Sequence, residues 1–338
     1  METFFGKPID IRTFKPDWLE RENLKKMVER YVALAEHVRS SPRRVQVTAC
    51  YMCSGTSRKA FGAVHDIPYY ACEACQHVYA DVRLSAEDLA EYYRAGTSYA
   101  AQTYANKDRY QYRAREVATP KVEFVTKYVT TARRRWLDIG SGNGDMVYVA
   151  QQRGFTAQGL EISQDSINFG KEIFGVDLWP LHVSEVLRTE GPGSFDVISF
   201  INSLEHVSDP RAQAEACAEL LAPGGLFVIE VPNAGSLGAA SDLFFPHNVL
   251  RQMFPVFHIM VFTEPSLDYL IDALGLQRVA LWRFGLDIYN VVLHLALQHD
   301  GFVESRVGQM LLDLHDPLQA AVDQQGKSDT LFMVLRKP

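Results

Sequence analysis

The chain has 338 residues, an apolar fraction of 47% and a formal net charge of −7, enough for one large or two modest domains with a sizeable core. The acidic balance excludes the broad cationic footprint of sequence-independent nucleic-acid binding, and no apolar run approaches the roughly 20 residues that cross a bilayer. The opening METFFGKPID lacks the regions of a secretory signal, so the expected location is cytoplasmic.

Apolar residues recur at spacings of three and four over residues 16–38, at Leu24, Met27, Val28, Tyr31, Val32, Ala35 and Val38, with Asp17 placed to cap the start. This predicts an amphipathic helix whose stripe packs on the rest of the protein. After a Ser40-Ser41-Pro42 break come Cys50-x2-Cys53, eighteen intervening residues, and Cys72-x2-Cys75. Two such hairpins bring four thiolates to one tetrahedral ion and leave no position for water, which is the donor set of a structural Zn2+. The ion would supply folding free energy that so short a module lacks, roughly 10 kcal/mol or more. The fifth cysteine, Cys217, lies among Ala214, Ala216, Ala218 and Leu220 and reads as a small buried helix residue.

A helix capped by Ser85, with Asp88 in the capping-box place, follows the second knuckle. Tyrosines then gather between Tyr92 and Tyr112, including Tyr99, Tyr104 and Tyr110. Amphipathic rings beside small residues suit either a flap that closes over a ligand or a helix and loop packed on the core edge. A longer helix, 106–131, leads on to the first strand of an alternating α/β region.

The centre of the chain is LDIGSGNGD at residues 137–145. Trp136, Leu137 and Ile139 form an apolar strand that breaks into Gly140, Gly142 and Gly144, and Met146, Val147, Val149 and Ala150 resume at helical spacing. Glycine adopts positive φ without strain and has no Cβ to hold a ligand off the backbone, so a ligand can lie on the main chain near a helix N-terminus. The dinucleotide fingerprint places its glycines first, third and sixth, whereas here they stand first, third and fifth with Asp145 in the sixth place. Asp138 would repel a diphosphate but suits a ligand carrying an ammonium group. On these residues the sequence resembles the class I methyltransferases, whose first motif is an acid followed by three alternating glycines. The resemblance implies that Asp138 orients the amino-acid end of S-adenosyl-L-methionine and that Gly140, Gly142 and Gly144 line its path.

Strands and helices alternate onward, implying right-handed crossovers and a mainly parallel, doubly wound sheet. The second strand ends in Glu161, twenty-one residues beyond Gly140, where a carboxylate can accept both ribose hydroxyls. Glu161 matches the second motif of the family, and Ile162, Asn202 and Ser203 are assigned to the same donor site. A third strand near 178–183 lacks the family's aspartate, leaving the adenine contact to Ser184, Glu185 or the backbone. The fourth strand, FDVISFINSLEHVSDP, lacks the Pro-Pro-aromatic motif that holds a planar nitrogen for N-methylation. It is followed by Glu205-His206 at the carboxyl end of the sheet, where open α/β folds bind substrates. Some quinone-pathway relatives have an acid three residues before that Glu and use the set for metal; Asn202 stands there in this chain. His206 is read either as a base or substrate contact or as a cap of the next helix.

The fifth strand follows a Pro-Gly-Gly turn and ends at Pro232-Asn233. Residues 234–263 interrupt the alternation and would cover a pocket, bringing in His247 and His258. A helix at 265–274, a strand at 276–284, helices over 286–325 and a closing antiparallel strand at 330–335 complete the pattern. The apolar stripe of Val291, Val292, Leu295, Met310, Leu311 and Leu314 offers a lid or a homodimer face.

The arrangement of cysteine knuckles, short strand and helix ending in Tyr92-Tyr93 looks like a subset of class I methyltransferases with an N-terminal zinc ribbon, over roughly residues 45–285. Four regions are expected: an N-terminal helix at 1–44, a zinc ribbon at 45–84, a helical, tyrosine-rich flap at 85–131, and a seven-stranded Rossmann-like methyltransferase domain at 132–338 with a helical insertion at 286–325. The implied activity is methyl transfer from S-adenosyl-L-methionine to a small-molecule hydroxyl, on a sugar or glycan precursor, with His206 or His258 as base. The alternatives are C-methylation of a keto-sugar and a non-catalytic zinc-ribbon binding protein.

Overall fold

Mostly apolar runs make strands buried on both faces, and FDVISFI at Phe195–Ile201 and LFVIEV within Leu221–Pro232 are of this kind, all but Ile201 buried, including the polar Asp196, Ser199 and Glu230. In the computed structural model, which describes residues 1–6, 20–94 and 107–338, these runs form the middle of one large sheet. The strands in chain order are β1 (Glu2–Phe5), β2 (Val45–Gln46), β3 (Arg58–Val64), β4 (Ile67–Cys72), β5 (Val78–Ala80), β6 (Val82–Arg83), β7 (Arg135–Ile139), β8 (Thr156–Leu160), β9 (Leu178–Trp179), β10 (Phe195–Ile201), β11 (Leu221–Pro232), β12 (Met260–Val261), β13 (Gln277–Phe284) and β14 (Thr330–Arg336).

The large sheet has eight strands in the order β1-β13-β14-β11-β10-β7-β8-β9. β14 alone runs antiparallel to its neighbours, lying between β11 and β13. Strand order reverses at β7 and β10, so their carboxyl ends open a crevice there. Seven of the eight strands lie where the alternation placed them. The eighth, β1, pairs parallel with β13 at the sheet edge and is an addition that the alternation did not contain. Phe4 on β1 packs edge-on against Phe124 at 5.0 Å, which gives four residues an anchor.

The N-terminal helix spans Arg21–Ser40 among the described residues and buries Leu24, Tyr31, Ala35 and Val38, the stripe read from the spacing. Asp17, together with Tyr99, Tyr104 and residue 106 of the flap region, lies outside the described residues. The expected single helix at 106–131 consists of Lys107–Arg113, a π-turn at Ala114–Ala118 and Thr119–Thr126. Pro120 has no N–H to give to Glu116, and the ladder widens so that the Thr119 N–H and hydroxyl both donate to Ala114 O. The third strand is shorter than the 178–183 expected, Leu178–Trp179, because His182 turns the chain into the helix Val183–Glu190.

The cysteine region is a four-stranded antiparallel sheet in the order β12-β5-β4-β3. Its fourth strand, β12, comes from the segment after residue 246. Met52, Cys72 and Tyr79 share one continuous core with Phe262, Leu267 and the main sheet. No helix of the described residues is long and apolar enough to cross a membrane.

Candidate active site

A cavity of about 820 Å³ opens at the carboxyl ends of β7, β8 and β10 and is covered by residues 250–258. One end is the glycine turn. Gly140, Gly142 and Gly144 have φ of +66°, +55° and +77°, a region that side chains with a Cβ adopt only under strain. A Cβ on Gly142 would meet nothing within 4 Å, so this residue faces open space, whereas one on Gly140 would lie 2.7 Å from Ser203 Cβ. Gly144 faces away from the cavity: a Cβ there would strike Val176 at 2.7 Å, so its work is to seat the following helix on β9. All three are expected from sequence on the ligand path; Gly140 and Gly142 line the cavity, and Gly144 packs behind it.

Glu161 closes the turn from β8. Its carboxylate accepts from the Gly142 N–H at 2.9 Å and from the Ser163 N–H at 2.8 Å. Burial raises its pKa against these bonds, and the unused lone pairs of its two oxygens can accept further hydroxyls. Ile162, beside it, lines the cavity with 47% of its surface exposed. Leu181, His182 and Val183 provide the wall opposite. Ser184 and Glu185, proposed from sequence for the adenine contact, instead bond His182 and cap the helix, with Glu185 Oε2 2.8 Å from the His182 N–H.

Asp138 is buried beneath the turn and accepts from Ser199 Oγ at 2.5 Å; Ser199 in turn accepts from Trp136 Nε1 at 2.8 Å. Burial raises its pKa to about 7, with the Asp145 and Glu161 charges adding to the shift and Lys121 opposing it. Two cations missed by the sequence reading complete this end. Arg113 Nε lies 2.7 Å from Asp145 Oδ2, and Lys121 Nζ pairs with Glu230 at 2.6 Å. Arg113, Val117 and Lys121 all line the cavity, and their spacing of four was the available signal. Asn202 Nδ2 donates to the same Glu230 at 2.8 Å, and Ser203 Oγ donates to Ile139 O at 2.7 Å, tying the end of β10 to β7.

The other end holds the imidazoles. His206, in the turn Leu204–His206, has Nδ1 2.8 Å from Phe257 O; His258 has Nδ1 2.7 Å from Gln252 O. The helix after His206 is capped by Asp209, which accepts from the Ala212 N–H at 3.0 Å, so capping is not the role of His206. The rings are 5.0 Å apart. A carbonyl can only accept, so each Nδ1 carries a proton, and in the neutral ring the lone pair sits on Nε2. Burial lowers both pKa values, that of His258 to about 3 with the His206 charge adding to the effect. Glu205 is fully buried 3.8 Å from His206 Nε2, and neither carboxylate oxygen has a hydrogen-bond partner among the described residues. Burial raises it to about 8. Tyr31, Leu89, Leu250, Phe254 and Phe257 wall this compartment.

The four cysteines converge beside this end of the site, with Sγ separations of 3.5 Å for Cys50–Cys75 and 3.4 Å for Cys53–Cys72, and all four sulfurs within 4.8 Å of one another. Tetrahedral zinc at its usual bond length to sulfur needs about 3.8 Å between sulfurs, so the donor set fits such an ion. Cys217 is buried in the helix Pro210–Leu220, away from this group.

A mainly parallel sheet with one antiparallel strand between β11 and β13, a glycine turn after β7 and a carboxylate ending β8 define a methyltransferase of the S-adenosylmethionine-dependent, Rossmann-like class. The profile of a methyltransferase domain family, Methyltransf_23, matches residues 109–281, about half of the chain, and the protein belongs to that family. Among curated proteins it is similar to the ubiquinone biosynthesis O-methyltransferases of Methylococcus capsulatus, 31% identical over 109 residues, and Paracidovorax citrulli, 36% identical over 97 residues. These matches cover 31% and 27% of this chain and 46% and 41% of the relatives, so the chain spans less than half the length of each. Among solved structures it resembles a SAM-dependent methyltransferase from Archaeoglobus fulgidus, with 18% identity, a TM-score of 0.44, and coverage of 66% of this chain and 94% of that one.

Proposed function

We propose that the protein methylates a hydroxyl of a small-molecule acceptor, using S-adenosyl-L-methionine. The observation that carries this reading is one cavity joining the Gly142–Glu161 turn to the His206–His258 pair. Glu161 would take the ribose hydroxyls, Ile162, Leu181 and Val183 would flank the adenine, and Asp138 and Arg113 would face the ammonium and carboxylate of the amino-acid end. Open space at Gly142 and the uncovered Ile162 fit such a nucleoside. When bound, the donor supplies an electrophilic methyl on a positive sulfur; the chain must align the acceptor, exclude water and take a proton. As the acceptor oxygen bonds the methyl carbon and the carbon–sulfur bond breaks, the hydroxyl proton passes to an imidazole Nε2. His206 is the better base of the two, because the Glu205 carboxyl lies 3.8 Å from its Nε2, whereas burial drives His258 down to about 3.

The walls of the acceptor compartment are aromatic and aliphatic, which favours a ring hydroxyl over the sugar hydroxyl suggested by the resemblance. The curated relatives, named as O-methyltransferases of ubiquinone biosynthesis, support an oxygen acceptor. The four cysteines would hold a structural zinc ion. Titration calorimetry with S-adenosyl-L-methionine tests the donor half. One site is expected, and Glu161→Ala should weaken it by about 10- to 100-fold; absence of heat in the wild type would end the transferase reading. For the acceptor half, His206→Ala should lower transfer of labelled methyl to catechol by about 10²-fold or more.

A second reading of the histidine end rests on the convergence of Glu205, His206 and His258, whose ligand atoms lie within 4.8 Å of one another. These three would then hold a divalent cation in place of acting as bases, and methyl transfer would depend on Mg2+ or Mn2+ added back to desalted protein.

A further inference from the structure

The segment that covers the cavity is bonded at both of its ends to the cysteine hairpins. At its start, the His65 N–H in the β3–β4 turn donates to Pro246 O at 2.9 Å, and His65 Nε2 lies 3.3 Å from Val249 O. At its end, the buried Tyr69 hydroxyl donates to His258 O at 2.9 Å and the Ala80 N–H to Ile259 O at 3.0 Å. β12 then pairs with β5, Met260 opposite Tyr79 and Val261 opposite Val78, and Thr263 Oγ1 donates to Gln76 O at 3.0 Å.

These strands meet at the knuckle. Cys72 ends β4 and Cys75 precedes β5, and the turn is closed by the Gln76 N–H to Cys72 O and the Cys72 N–H to His77 O, both 2.9 Å. The register Tyr69–Ala80 and Ala71–Val78 follows from that closure. Tyr69 is three residues from a sulfur ligand, and the carbonyl that it holds belongs to His258. The preceding carbonyl, Phe257 O, orients His206. The Phe257–His258 backbone thus carries one imidazole and helps orient the other, and the cysteine hairpin holds that stretch.

We infer that the cysteine module is a jig for the acceptor half of the active site, and that Tyr69 is the positioning residue through which it fixes His258 and His206. The inference rests on the transferase reading for its consequence and on the four-sulfur zinc site for its cysteine arm; the Tyr69 contact stands on geometry alone. The donor half, built on β7 and β8, shares apolar core with the module, but its hydrogen bonds run elsewhere: the Gly142 N–H to Glu161, Ser199 of β10 to Asp138, and Ser203 to Ile139 O.

The test compares full-length Tyr69→Phe and Cys53→Ser with wild type and with Tyr70→Phe. Tyr70 points to the opposite face of β4, where Arg58 lies 3.9 Å over its ring. Amide hydrogen exchange across 246–263 should rise about tenfold or more in Tyr69→Phe and in Cys53→Ser, with exchange across 135–145 and affinity for S-adenosyl-L-methionine unchanged. In ¹⁵N-histidine spectra recorded well below melting, the fixed Nδ1–H tautomers of His206 and His258 should give way to averaged shifts in Tyr69→Phe, a signature that simple loss of stability does not produce. Tyr70→Phe should match wild type in every readout. Unchanged exchange and histidine shifts in Tyr69→Phe would overturn the proposal. So would equal loosening of 135–145 in Cys53→Ser, which would make the cysteines a support of the whole fold. Wild-type protein without donor binding would instead refute the transferase reading, leaving the exchange comparison to decide the positioning role.

Discussion

Glu205 is a carboxyl group with neither solvent nor a hydrogen-bond partner among the described residues, and burial holds it protonated up to about pH 8. Above that pH its charge appears 3.8 Å from His206 Nε2 and favours the protonated imidazole, which strengthens the base. The rate of catechol methylation at saturating donor should therefore rise through a limb near pH 8, and Glu205→Gln should lose that limb. Asp138, near pH 7 when the site is empty, gives a second prediction. An ammonium group arriving beside it lowers its pKa, so donor binding at pH 7 should release a fraction of a proton. Calorimetry in buffers of different ionisation enthalpy would measure this, and Asp138→Asn should abolish the dependence. Both acids were visible in the sequence as residues beside a motif. Their protonation was not, because it depends on how completely distant segments desolvate them. The Lys121–Glu230 pair was hidden for a related reason: its partners stand 109 residues apart, and neither belongs to a local pattern.

Elements carried by local periodicity were legible: the stripe of Arg21–Ser40, the strand–turn–helix at Gly140, the paired knuckles. Elements fixed by tertiary contact were not. β1 has four residues, three of them exposed, and exists because β13 offers an edge and Phe124 a ring. Deleting residues 1–6 should leave donor affinity unchanged while lowering the melting temperature by a few degrees, as expected for about 1 kcal/mol in a domain of this size; thermal scans with and without donor would check both. The segment after 234 was legible as a pocket cover, but not as the fourth strand of the cysteine sheet, since two residues of strand leave no periodicity to detect. The C-terminal stripe divides in a similar way. Val292 is buried, while Met310 and Leu314 are 50% and 46% exposed, so the helix Arg306–Asp313 turns part of that stripe outward.

Across the molecule, two sets of buried groups act on stability in opposite directions with pH. Asp138, Glu161, Glu205, Asp287 and Asp323 have pKa values raised by burial, so the folded state keeps protons that the unfolded state has released, and stability falls as pH rises from about 4.5 to 8. His65, His77, His206 and His258 have pKa values lowered by burial, so the unfolded state binds the extra protons, and stability rises with pH up to about 6.5. Below 6.5 the two sets offset one another; above it the histidines are neutral in both states, and of these two sets the carboxyls alone still act. The melting temperature of donor-free protein should be flat near pH 6 and decline between pH 6.5 and 8.5, with a shallower decline in Glu205→Gln.

β14 lies in the interior of the sheet, with seven residues paired to β11 on one side and seven to β13 on the other. During synthesis both neighbours leave the ribosome before it does, and each presents an unpaired apolar edge until it arrives. The β11 and β13 halves of the sheet can therefore join only after residue 336 has emerged, and nascent chains stalled before that point would carry two open strand edges suited to a chaperone.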